Sequence, residues 1–184
     1  MELQFGSIKR ALLPGDWIAQ PEQNTAIMTL RRCHPSVHNE VEISFFRRRA
    51  QIFEQAMANF RSTLAQPIHR IAAGSEEINA LAAAMGNAGD NQWTNKKIGE
   101  PPFRLANAET IQLKNRKVLL AKGSFINPAT RKTINEYCGI FADAAADQRL
   151  VEEVFLQVPS QYGYFQFECY VKIFTEVIAS IEWT

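Results

Sequence analysis

Three extended segments followed by an amphipathic helix make up the last third of the sequence, and they constrain the fold more than any other feature. Residues 116–125 (RKVLLAKGSF), 134–143 and 151–158 (VEEVFLQV) predict three successive β-strands. A helix is predicted over residues 166–180, where apolar side chains recur at the spacing of one helical face. These side chains are Phe167, Tyr170, Val171, Phe174, Val177, Ile178 and Ile181. Successive strands closed by a helix predict a layered α+β domain around one sheet.

The N-terminal half predicts a hairpin and then a helix. Residues 25–32 (TAIMTLRR) and 40–47 (EVEISFFR) alternate with a period of two, which is typical of paired strands. The period then changes, and an apolar stripe predicts a helix over residues 49–64. The stripe consists of Ile52, Ala56, Phe60 and Leu64.

The middle of the chain predicts a second helix and a long loop. Ser75 is placed to cap a helix whose first turn carries two carboxylates, and Gly86 is placed to end it. Residues 87–102 (NAGDNQWTNKKIGEPP) predict a long surface loop that contains Trp93, and residues 103–113 contain a further strand. We therefore expect a single domain, residues 1–184, with an antiparallel sheet of five to seven strands flanked by helices.

Charge and composition limit the classes of partner. Twenty basic and nineteen acidic residues leave a net charge of +1, which argues against nucleic acid as a partner. No apolar run approaches the roughly 20 residues that span a bilayer. The start of the chain, MELQFGSIKR, does not resemble a signal peptide. The three cysteines are an odd number, which favours reduced thiols, and we expect a cytoplasmic protein.

The residue types that carry chemistry predict no active site. Cys33, His34 and His38 form the densest set of potential metal ligands, but their spacing matches no standard zinc pattern and Pro35 predicts an ordinary hairpin loop. No nucleophile elbow or phosphate-binding loop is present in the sequence. Two adjacent carboxylates, Glu152 and Glu153, are predicted to point to opposite faces of a strand. We predict that the chain is not an enzyme and has no catalytic, cofactor-binding or metal-binding residues.

Two groups of residues are candidates for binding a partner protein. Arg47, Arg48 and Arg49 are predicted to face solvent at the corner between a strand and a helix, where they would suit an acidic partner. Tyrosine and tryptophan side chains are common at protein interfaces. Tyr162 and Tyr164, before the last helix, and Trp93, in the long loop, therefore form the second group.

Short motifs in the same order along the chain resemble the PsbP-like group of photosystem accessory proteins, whose fold is shared with a Ran-binding nuclear-import factor and bacterial envelope lipoproteins. The motifs are LPGDW at residues 13–17, KGSF at 122–125, YCGIF at 137–141, EVFLQ at 153–157 and IASI at 178–181. Members of this group begin with a Pro-Gly-Trp type of turn and end with a helix that carries an Ile-x-Ser-Ile tail. The resemblance implies an α/β/α sandwich with an antiparallel sheet, and a binding rather than a catalytic role.

The expected function is therefore that of a non-enzymatic protein-binding or assembly-accessory domain of PsbP-like fold. One alternative is a bacterial immunity or inhibitor protein that neutralises a cognate toxin. The other is a hydrolase or small-ligand protein with a pocket between the sheet and the 87–102 loop. A deep pocket with Cys33, or with a histidine beside a carboxylate, would favour this last alternative.

Overall fold

The structure is a computed structural model that describes residues 1–25, 28–49, 54–88, 104–114, 116–127, 130–142 and 150–184. The described residues form two antiparallel sheets and three α-helices, so the predicted α+β class is confirmed. The strands are β1 (Glu2–Phe5), β2 (Ile8–Leu12), β3 (Trp17–Ala19), β4 (Gln23–Asn24), β5 (Met28–Pro35), β6 (Glu42–Arg49), β7 (Arg70–Ile71), β8 (Arg104–Leu113), β9 (Arg116–Ile126), β10 (Thr133–Ala142), β11 (Leu150–Pro159) and β12 (Glu182–Trp183). The helices are α1 (Glu54–Ala65), α2 (Glu76–Ala88) and α3 (Gly163–Ser180), and a short 3₁₀ helix (Ser160–Tyr162) precedes α3.

The large sheet has the strand order β3-β5-β6-β11-β10-β9-β8-β7, and β4 also pairs with β5. Each of its strand pairs is antiparallel. The predicted hairpin is confirmed as β5–β6, and the three predicted strands of the last third are confirmed as the neighbours β9, β10 and β11.

The prediction of five to seven strands in one sheet is wrong. Within the described residues the large sheet has nine strands, and β1, β2 and β12 form a separate small sheet. The small sheet joins the two ends of the chain, since Ile8 of β2 pairs with Trp183 of β12. Such a long-range pair has no local sequence signal, because β12 contains only two residues.

Alternating residues of the large sheet face two separate apolar layers. In β9, Leu119 and Ala121 pack with α1 and α2, while Val118 and Leu120 pack with α3 and the small sheet. This alternation is the period of two that an extended strand imposes on its side chains. Both faces of the large sheet are therefore covered by other elements of the chain.

The predicted inner face of α3 is confirmed for five of its seven residues; Val171 is half-buried, and Ile181 is buried but follows the end of the helix. Phe167, Tyr170, Phe174, Val177 and Ile178 are buried, and the helix packs against β10 and β11. The ends of the other two helices differ from the prediction. Helix α1 does not begin at residue 49, since that residue lies in β6, and α2 continues through Ala88 instead of ending at Gly86. Glycine is tolerated within a helix at a cost of about 1 kcal/mol relative to alanine, so a lone glycine does not have to end one.

The predicted cap of α2 is confirmed. The backbone N–H of Ile78 donates to Oγ of Ser75 at 3.2 Å. Most of the predicted 87–102 loop, including Trp93, lies outside the described residues. None of the helices that the structure describes is both long enough and apolar enough to cross a membrane.

Candidate functional site

Loops from three parts of the chain meet at one end of the large sheet, where β5, β9 and β11 end and β6 and β10 begin. We call this end, formed by residues 36–41, 126–127, 130–133 and 160–165, the aromatic end. Glu40 connects these loops, because its carboxylate accepts hydrogen bonds from Lys132 Nζ at 3.2 Å and from Gln161 Nε2 at 2.5 Å. The position of the surface loops thus depends on contacts between residues more than 90 positions apart in the chain.

His38 fixes the loop between β5 and β6 against α3. Its Nδ1 lies 2.6 Å from the hydroxyl of Tyr170, and its ring centroid lies 5.1 Å from that of Tyr162. Trp17 packs edge-on against the other side of Tyr170, with 6.3 Å between ring centroids. Burial is the main reason that the pKa of Tyr170 is raised. These four side chains therefore pack together beneath the aromatic end.

Two aromatic side chains at the start of α3 point into solvent. Tyr164 is 73% exposed and Phe165 is 81% exposed. Phe165 lies on the side of the helix opposite its buried face, whereas Tyr164 lies at the flank of that face, near Lys122 of β9. Val37 (76%) and Ile126 (52%) are also exposed at the aromatic end. Phe165 was not among the predicted binding residues. The helical spacing could have identified it, because it places Phe165 opposite the apolar face of the predicted helix, where a side chain points away from the sheet.

Two lysines near these aromatic side chains form ion pairs with carboxylates. Lys122 forms an ion pair with Glu168, and its ammonium lies 5.7 Å from the ring centroid of Tyr164 and 5.1 Å from that of Phe167. Lys132 pairs with Glu40. The two lysines beside the exposed aromatic side chains are therefore each neutralised by a carboxylate.

The structure places the predicted binding residues in different settings. Tyr162 is half-buried against His38, and Tyr164 is exposed. Arg47, Arg48 and Arg49 are the last three residues of β6, the strand that precedes α1, and they pair with β11. The strand continues through Arg49 because Leu150 and Val151 of β11 supply its backbone partners. Only Arg47 has a described side chain, and its Nε lies 3.7 Å from Oε1 of Glu152.

Glu152 is a buried carboxylate that holds the turn of the β1–β2 hairpin. Its side chain is 2% exposed, and it accepts hydrogen bonds from the backbone N–H of Ser7 at 2.6 Å and from the Ser7 hydroxyl at 2.5 Å. Glu153, the next residue, is also buried. Glu153 lies on the opposite face of the strand, as predicted, because Val154 packs with the α3 layer and Phe155 with the α1–α2 layer. The two carboxylates therefore do not share one pocket.

The predicted loop with Cys33, His34 and His38 is partly a strand. Cys33 and His34 lie in β5, and only His38 lies in the loop. Burial raises the pKa of the Cys33 thiol to about 12, which leaves it as an uncharged apolar group. Within the part of the chain that the structure describes, no group of three or more His, Cys, Asp or Glu residues is arranged to hold a metal ion.

A histidine–carboxylate pair lies elsewhere, between α1 and α2. His69 Nε2 is 3.2 Å from Oε1 of Glu77. Glu77 also lines a cleft of about 130 Å³, together with Ser62, Thr63, Gln66, Ala80 and Leu81. Pockets for organic ligands usually have volumes of roughly 300 to 1,000 Å³, so this cleft accommodates only water or a very small ligand.

Comparison of the chain with models of known protein families and with the curated proteins finds no match. The residues of the chain are therefore the basis for its proposed function.

Proposed function

We propose that this chain is a non-enzymatic protein-binding or assembly-accessory domain, and that the aromatic end is its binding surface. The observation that carries this proposal is the exposure of Tyr164 and Phe165 at the start of α3. Packing within the described residues does not require an aromatic side chain at either position, because the inner face of α3 is made by other residues. Aromatic residues are enriched at protein interfaces, where a large and rigid side chain fills a pocket of the partner.

The exposed aromatic side chains, with both nearby lysines paired to carboxylates, favour a partner with an apolar contact surface. An aromatic side chain buries about 150 to 250 Å². Tyr164 and Phe165 together therefore supply roughly 300 to 500 Å² of the 800 Å² that one side of a standard interface buries. Because Lys122 and Lys132 are already paired, we expect affinity for the partner to change little with salt. Binding through Arg47–Arg49 to an acidic partner would instead weaken strongly as salt is added.

We further propose that the fold is PsbP-like and that the protein acts in the cytoplasm. The fold assignment is supported by two layers of helices on opposite faces of one antiparallel sheet. It is also supported by the turn after Pro14, where the N–H of Trp17 donates to the Pro14 carbonyl at 3.1 Å. The free thiols of Cys33, Cys138 and Cys169 support the cytoplasmic location.

The proposal is tested by affinity capture from native lysate with the complete chain as bait. The test variant is Phe165→Ser, and the control is Ile68→Ser, which replaces an equally apolar side chain that is 57% exposed next to β7. A protein that binds the wild type and the control is expected to be lost with Phe165→Ser. For the purified partner we expect Kd to rise about 30-fold or more, as for an interface hot spot of 2 kcal/mol. Equal capture by all three proteins, or capture of no specific protein, would refute the proposed surface.

The identity of the captured partner separates the proposal from its first alternative. A toxin whose activity is blocked by the chain would make the protein an immunity protein that uses the same surface. The hydrolase alternative gains little from the cleft beside Glu77, because the volume of that cleft is small. Most of the 87–102 loop, where this alternative places its pocket, lies outside the described residues.

A further inference from the structure

His69 connects three elements at the edge of the large sheet. It lies between α1 and α2 and directly precedes β7. Its backbone N–H donates to Oγ1 of Thr110 at 3.0 Å, and its carbonyl accepts from the backbone N–H of Thr110 at 2.9 Å. These two hydrogen bonds hold the backbone of His69 against β8. Its imidazole ring extends from there to Glu77 of α2.

Both ring nitrogens of His69 face hydrogen-bond acceptors. Nδ1 lies 2.7 Å from the carbonyl oxygen of Pro67, and Nε2 lies 3.2 and 3.3 Å from the two carboxylate oxygens of Glu77. A carbonyl and an ionised carboxylate only accept, so each contact requires a proton on the ring nitrogen. A neutral imidazole has one N–H and satisfies one contact, whereas the imidazolium satisfies both. The geometry therefore matches the protonated ring.

The neighbouring groups act in both directions on the protonation of His69. The pKa of His69 is raised, first by the hydrogen bond to the Pro67 carbonyl and also by the hydrogen bond and charge of Glu77. Partial burial opposes this shift, and so does the positive charge of Lys117 on β9. Lys117 itself donates to the carbonyl of Gln66, next to the same loop. On the β8 side, Glu109 is paired with Arg70.

Glu77 extends the connection to α1. Its Oε1 accepts a long hydrogen bond, 3.4 Å, from the hydroxyl of Thr63, which is buried. The first turn of α2 is thus tied both to α1 and to the loop that contains His69.

We propose that His69 is a pH-dependent clamp, which holds the start of α2 against the loop after α1 and the edge of β8 when its ring is protonated. When the ring loses a proton, one of its two contacts must break, and α2 is held less firmly. A histidine whose folded pKa exceeds its unfolded value contributes stability that is complete below about pH 6.5. That contribution is lost as the pH rises through the folded pKa of His69.

The clamp is tested on the complete chain by NMR between pH 5 and pH 9. We expect the imidazole of His69 to titrate with a midpoint above 6.5 and both ring nitrogens to carry protons at pH 5.5. Glu77→Gln should lower the midpoint, and Lys117→Met should raise it. His34→Gln is the assignment control, since its ring lies in β5 and its change should leave the His69 titration unaltered.

Hydrogen exchange provides the conformational readout. Protection factors of the α2 amides, including Leu81, should fall about two- to tenfold as the pH rises through the midpoint, as expected for one lost hydrogen bond. In His69→Gln, a side chain that still donates to Glu77 but does not titrate, the protection factors should not depend on pH. A midpoint at or below 6.5, a midpoint that Glu77→Gln leaves unchanged, or α2 protection that is independent of pH in the wild type would overturn the clamp.

Discussion

Replacing Gly6 by alanine should lower the free energy of unfolding more than the same replacement at Gly74, another glycine with a positive φ. Gly6 lies in the turn of the β1–β2 hairpin with φ +56°, a conformation that costs a residue with a side chain about 1 to 2 kcal/mol. An added Cβ would also lie 2.2 Å from Oε1 of Glu152 and 3.3 Å from Cδ of Arg47. The carboxylate oxygen would have to move away from its position.

The cost of that movement follows from the hydrogen bonds of the carboxylate. The same oxygen accepts from the N–H of Ser7 at 2.6 Å, in a site where the Glu152 side chain is 2% exposed. Water cannot easily replace a lost donor there, and a hydrogen bond to a charged group contributes about 1.5 to 3 kcal/mol. With the backbone cost added, we expect Gly6→Ala to lower the free energy of unfolding by about 2.5 to 5 kcal/mol.

Gly74→Ala is the matched control, because Gly74 has φ +76° but no atom within 4 Å of an added Cβ. It should cost only the backbone term of about 1 to 2 kcal/mol. Urea unfolding followed by far-UV circular dichroism measures both variants. If the two variants differ by less than about 0.5 kcal/mol, the Glu152 contact contributes nothing, and the reasoning from the buried carboxylate fails.

Three further predictions use the same unfolding assay or a thiol assay. Ser7→Ala removes the hydroxyl that donates to the buried carboxylate and should cost about 1 to 3 kcal/mol; a neutral result would show that water reaches this site. Phe60→Ala, at a fully buried position of α1, should cost about 3 to 5 kcal/mol; a loss below 1 kcal/mol would mean that α1 does not pack on the sheet. With a thiol reagent at pH 8, the half-buried Cys169 should react in the folded protein, while the raised pKa of Cys33 and Cys138 should delay their reaction until unfolding. Rapid reaction of all three thiols would contradict this order.

Several elements of the fold were predictable because their signal is local. The period of two in residues 40–47 and the apolar face of residues 166–180 correspond to β6 and α3 as observed. The opposite directions of Glu152 and Glu153 follow from strand geometry alone. Local spacing was sufficient in these cases because each side chain points where the backbone period directs it.

Other features depended on contacts between distant residues. The hydrophobic pattern did not predict that Arg49 belongs to a strand, since the pairing of that residue with Leu150 is decided by β11. Similarly, Cys33 and His34 adjoin Pro35 and predicted a loop, but β3 pairs with β5 up to that proline. Proline is tolerated in a sheet where its missing N–H costs no hydrogen bond between strands. Pro35 is the last residue of β5, so Cys33 and His34 before it remain in the strand.

The candidate site shows the same division. Helical spacing is enough to predict that Phe165 is exposed, but it does not predict the contacts among the loops that surround this residue. His38 contacts Tyr170, 132 residues away, and Glu40 contacts Gln161, 121 residues away. Sequence spacing carries no information about such pairs, because the register of the sheet decides which distant residues lie next to each other.

The sequence by itself determined the α+β fold class, the main strands and the buried face of the last helix, since these depend on the periodicity of neighbouring residues. Only the tertiary structure decided which polar groups are buried and which aromatic side chains are left in solvent. Glu152 became a buried anchor because the β1–β2 turn, almost 150 residues earlier, packs over it. Burial is a property of the assembled layers, and the same residue types are exposed or enclosed according to what the distant parts of the chain place above them.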